Sequence, residues 1–227
     1  MSLSARRGWL EFFTFLASTG VVMQDDVRFV LKKMGFFVLF AVIAAAFQSL
    51  LFLDIHALHD SVKETSLTEI TQELILLGIV LLYARLTKVP ELRASSVLLC
   101  GFFACMLIRE LDFVFDVIRQ GSWVWVALAV TGISIIVAAR DFRGVISGLR
   151  EFFTYPSYGL ICAGLLNVLI FSRLMGMGVL WRTLLQEAFL RTVKNAVEEG
   201  SELFGYVLCL LGTVIYVFGK LRYYRRK

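Results

Sequence analysis

Apolar stretches of close to 20 residues recur along the whole chain, at 35–53, 70–86, 95–118, 122–139, 158–180 and 195–219, with gaps too short to hold a separate domain. A hydrocarbon layer about 30 Å thick is crossed by roughly 20 apolar residues in an α-helix. The pattern predicts an all-α integral membrane protein, a polytopic bundle of six transmembrane helices. Composition argues against the soluble alternative: 59% of the 227 residues are hydrophobic and 18% are charged, where a soluble domain carries roughly 25% charged residues. Both prolines, Pro90 and Pro156, fall between the apolar stretches rather than inside them.

Three regions follow: an N-terminal segment 1–34, a six-helix membrane domain 35–219 and a basic tail 220–227. In the first, Trp9, Phe12, Phe13 and Leu16 lie near helical spacing, as expected of an amphipathic helix resting on the cytoplasmic membrane surface. Glu11 interrupts the apolar run that a cleaved signal would need. Orientation follows from Lys and Arg, which concentrate in short cytoplasmic loops. Arg6, Arg7, Arg28, Lys32, Lys33, Arg85, Lys88, Arg93, Arg140, Arg143, Arg150, Lys220, Arg222, Arg225, Arg226 and Lys227 fall on the side of the N-terminus, sixteen of the 23 basic residues. Both termini are therefore expected in the cytoplasm, with the protein in a plasma or inner membrane. The net charge of +5 reads as this topology signal, with attraction to anionic inner-leaflet lipid. No basic stripe interleaved with aromatics points to nucleic acid.

The acidic residues gather at the opposite ends of the helices, which insertion does not require because Asp and Glu contribute little to orientation. Glu69 and Glu73 open the second apolar stretch four residues apart, Glu198 and Glu202 open the last in the same way, and each pair is followed by leucine. Glu199 lies beside the latter pair, and Asp112 and Asp116 form a third pair just beyond Glu110. A spacing of four puts both carboxylates on one helical face, where like charges repel. A charged group facing lipid at this depth costs a few kcal/mol, so such groups face the bundle interior or a water-filled cavity. The sequence predicts an outward-facing, carboxylate-rich cavity formed by three helices. The two Glu-x-x-x-Glu-Leu motifs also hint at an internal repeat relating spans one and two to spans five and six.

Arg109, Arg173 and Lys194 fall in the same outer zone and are candidate charge partners that would lock the helices together. The only histidines, His56 and His59, stand with Asp60 beyond the first stretch and are the candidate ligands for a divalent metal ion. All four cysteines fall within apolar stretches, without a CxxC pair or a disulfide framework.

Two classes of function fit these residues. The first is binding or transport of a cation, protons or a cationic solute in the acidic cavity, where carboxylates exchange protons for the ion. The second is a membrane-embedded metal-dependent enzyme acting on a lipid or lipid-linked substrate, its metal activating water. A structural or accessory subunit is the third reading. The partners compatible with them are the bilayer, anionic lipid, a small cation or solute, and further copies of the chain.

Overall fold

The computed structural model describes residues 3–56, 66–117, 119–186 and 191–226, with side chains from residue 24 onward. Its helices are α1 (Leu3–His56), α2 (Leu67–Leu86), α3 (Pro90–Glu110), α4 (Asp112–Asp116), α5 (Trp123–Ala139), α6 (Phe142–Phe153), α7 (Tyr158–Met175), α8 (Gly178–Leu185) and α9 (Arg191–Arg225). No strand occurs among the described residues. Five helical segments are long and apolar enough to cross a membrane, and a sixth qualifies only if the bent pair α5–α6 is one span.

The chain divides into two units, Met1–Ile43 and Ala44–Lys227. In the first, α1 continues unbroken through residue 34, so no helix end separates the N-terminal segment from the first apolar stretch. The side chains of Trp9, Phe12, Phe13 and Leu16 lie outside the described residues. From Phe36 to Val42 the helix exposes large apolar side chains, the composition of a surface suited to lipid.

In the second unit, three elements differ from the sequence expectation. The stretch 95–118 is not one helix: α3 starts earlier, at Pro90, whose fixed φ suits a first turn, and ends at Glu110. Leu111 there has ψ 20°, and α4 starts afresh. The connection expected after residue 139 is largely helical, because α6 follows α5 at a bend of 104°. Asp141 causes the turn: its side chain accepts the Gly144 N–H at 2.9 Å and so caps a new helix. The stretch 158–180 divides at Gly176–Met177, after a π-helical turn at Asn167–Phe171.

The core lies between α2, α3, α7 and α9. On α2 the buried face is Gln72, Leu76, Ile79, Tyr83 and Leu86, and on α9 it is Glu202, Tyr206, Cys209, Thr213, Tyr216 and Lys220. Alternating spacings of four and three keep each row on one side of its helix. The α9 row is largely polar, and its members find partners: Thr213 donates to the Tyr83 hydroxyl at 3.4 Å, and Lys220 pairs with Glu151 of α6 over the Tyr155 ring. Close approach of α7 and α9 depends on small residues. A Cβ at Gly164 would stand 2.5 Å from the Gly205 carbonyl oxygen and 2.7 Å from the Cys209 sulfur.

Candidate functional site

Helix α2 is aimed by its N-terminus. Ser66 caps it, its Oγ accepting the Glu69 N–H at 3.2 Å, in the Ser-x-x-Glu pattern that favours a helix start. Asp54, near the end of α1 and fully buried, accepts the Leu67 N–H at 3.0 Å and the Thr68 N–H at 2.8 Å, and also the Thr68 hydroxyl. A carboxylate on the first amides of a helix satisfies donors that have no intrahelical partner. Gln48, one turn and a half earlier, donates to the Gly200 carbonyl at 2.8 Å and so ties the same part of α1 to α9.

These anchors help bring the starts of α2 and α9 together with the ends of α3 and α7 around a cavity of about 240 Å³. Its walls carry Glu69, Glu73, Glu110, Asp112, Glu198, Glu199 and Glu202, opposed by Arg109 and Arg173, with Gln72 and Phe113 completing the lining. Seven of the eight carboxylates singled out from the sequence thus border one space. The eighth, Asp116, does not: its Oδ1 accepts the Gly121 N–H at 2.8 Å and closes the turn after α4, where Gly121 has φ 78°. That left-handed backbone favours glycine.

Three of the acids are held by cations. Glu202, 3% exposed, pairs with Arg173, lies 3.7 Å from Arg109 and accepts the Ser172 hydroxyl at 3.2 Å. Glu110 pairs with Arg109 and accepts the Tyr206 hydroxyl at 2.6 Å. Glu198 is 2.8 Å from Lys194 and 3.8 Å from Arg173. The Glu198 carboxylate fills the space where a Cβ at Gly176 would stand, 2.3 Å from its Oε1, so glycine is what lets this pair form. The expected partners Arg109, Arg173 and Lys194 are all engaged.

Glu73, Glu199 and Asp112 make no ion pair among the described residues. Glu199 is bonded instead by an amide: Gln72 Nε2 donates to its carbonyl at 3.1 Å and to its Oε2 at 3.2 Å. Gln72 is 1% exposed, and its Oε1 has no donor among the described residues. Turning the amide over would bring oxygen against the two oxygens of Glu199, so this orientation is the one the chemistry requires. At the start of α4, past the end of α3, Asp112 has a carboxyl raised above its ordinary pKa, chiefly by partial burial and then by Asp116 and Glu110.

Sequence reasoning missed Gln72, Tyr206, Ser172 and Asp54. A lone Gln or Tyr in an apolar run looks like core or interface; the signal in hindsight is that Gln72 falls on the buried α2 face with Leu76 and Ile79, and Tyr206 stands one turn from Glu202 on the polar buried row of α9.

The metal reading gains nothing from this arrangement. His56 is exposed and stacks on Phe52 at 3.9 Å, and His59 and Asp60 lie outside the described residues. No group of His, Cys, Asp and Glu among the described residues could hold a metal ion. No protein-family model, curated protein or solved structure matches the chain.

Proposed function

We propose that this chain is an integral membrane protein whose carboxylate-lined cavity binds protons or a small cationic solute, as a transporter or receptor of that ligand. The carrying observation is the unequal use of charge: Glu73, Glu199 and Asp112 border the shared space without an ion pair of their own among the described residues, while Arg109 and Arg173 are engaged by Glu110, Glu198 and Glu202. Three carboxylates on the wall of one cavity ask for hydrogen-bond donors or positive charge. Their mutual repulsion is what a ligand N–H, a hydronium ion or a hydrated cation would relieve.

The reading as helix glue is favoured by a different set of residues. Glu202 of α9 joins Arg173 of α7 and Arg109 of α3, Glu198 of α9 also reaches Arg173, and Glu110 of α3 accepts the Tyr206 hydroxyl of α9, so these acids tie the three helices together. Both roles coexist, with the paired acids building the wall and the unpaired ones facing the ligand. The compact size of the cavity suits a solute with few heavy atoms, such as an ammonium or guanidinium compound. Binding measured by calorimetry on detergent-purified protein, and flux in proteoliposomes, test the proposal. Glu199→Gln should abolish both while the protein stays folded; unchanged binding and flux in that variant would overturn it.

A further inference from the structure

The opposite end of the second unit carries a second cavity, of about 870 Å³, between the α2–α3 turn and the elbow that joins α5 to α6. Lys88, Arg93 and Arg140 border it, all exposed, and none forms an ion pair among the described residues. The one acid lining it among the described residues, Asp141, accepts the Gly144 N–H at the start of α6 and forms no ion pair with the three cations, which leaves the cavity with an excess of positive charge. The first turn of α3 also borders the cavity and has no side-chain cap. Its helix dipole adds positive potential at the same place.

We infer that this cavity binds the phosphate headgroup of an anionic lipid. Three unpaired cations at a helix start are suited to a phosphate. The apolar part of the wall distinguishes a lipid from a free anion. Ala94 and Val137 line the cavity above a small core of Ala94, Ala138 and Val145. From Arg140, the α5 face runs back through Ile136 and Ile133, at i−4 and i−7, which are 60% and 63% exposed. An acyl chain extending from a phosphate held at Arg140 would lie along that strip. This inference rests on the membrane-inserted reading above but not on the cation cavity.

The test uses the full-length protein, first shown to resist extraction from membranes by alkaline carbonate, so that a failure of insertion is seen separately. Native mass spectrometry and thermal midpoints in detergent are recorded with phosphatidylglycerol, with phosphatidylcholine and with inorganic phosphate. Phosphatidylglycerol alone should stay bound and raise the midpoint. Each surface cation contributes about a fivefold gain in affinity, so Lys88→Gln, Arg93→Gln and Arg140→Gln combined should weaken binding about a hundredfold. The matched control Lys32→Gln, Lys33→Gln and Arg222→Gln should leave it unchanged. If the triple variant does not fold, Arg140→Gln alone decides, with an expected loss of about fivefold. The inference is overturned if the cavity variants retain phosphatidylglycerol, if the control loses it equally, or if phosphatidylcholine or inorganic phosphate gives the same shift.

Discussion

Gln72 on α2 donates its amide to two oxygens of Glu199 on α9, at 3.1 and 3.2 Å, and in doing so leaves its own buried oxygen without a donor among the described residues. One side chain therefore does two things: it binds helices through residues 127 apart in sequence, and it leaves a buried acceptor unmet between them. Gln72→Leu should remove the tie and the acceptor together, lowering stability by roughly 1 kcal/mol. A thermal midpoint in detergent equal to that of the wild type would show that the tie contributes nothing.

The acids should separate into two classes under charge removal. Glu202→Gln leaves Arg173 and Arg109 without their buried partner, and about 1–3 kcal/mol of stability should be lost, because Glu202 is buried although both arginines are partly solvated. Glu73→Gln and Glu199→Gln strand no cation and should leave the midpoint unchanged or raise it. The comparison is read in one denaturation series; an equal loss in all three variants would merge the classes.

Packing predictions follow from where a methyl group fits. Gly164→Ala pushes a Cβ into the α9 backbone at Gly205 and should destabilise by about 1–3 kcal/mol. Gly132→Ala in α5 meets nothing within 4 Å, and the gain in helix propensity should stabilise by about 0.5–1 kcal/mol. Opposite signs in the two midpoints are the expected result.

The pH dependence at Asp112 has a definite sign. A carboxyl whose folded pKa is raised binds its proton more tightly in the folded state, so ionisation works against folding. The penalty is absent well below the ordinary carboxylate pKa of roughly 4, grows as pH rises from there to the folded value, and is constant above it. Asp112→Asn should thus match the wild type in acid and exceed it in midpoint at neutral pH, by a small amount because the group is exposed. A difference largest in acid would reverse the assignment.

Topology is checked by labelling. Arg119→Cys at the acidic end and Arg226→Cys at the basic end are both exposed positions. In intact cells an impermeant thiol reagent should reach the first and not the second.

The apolar stretches by themselves determined that the chain is helical and along which parts of it the apolar helices run, because hydropathy and helix periodicity are local properties, though not where α1 begins or where α3 ends. Glu69, Glu73, Glu198 and Glu202 were legible in the same way: four-residue spacing places a pair on one face whatever that face meets. The tertiary structure decided which of those acids are neutralised. Glu202 meets Arg173 and Arg109, whereas Glu73, at the same place in the repeated motif, forms no ion pair among the described residues, and nothing in either motif distinguishes them. The break at Leu111 carries neither proline nor glycine, and sequence spacing does not pair Glu110 with Tyr206, 96 residues away. The α5–α6 elbow was partly legible, since Phe142, Val145, Leu149 and Phe152 keep helical spacing; that Asp141 caps a new helix instead of sitting in a loop became visible only in the folded backbone. Local rules set which residues can share a face, but charge pairing and cavity walls are made by residues far apart in the chain. Their meeting depends on how the helices pack, which no single segment encodes.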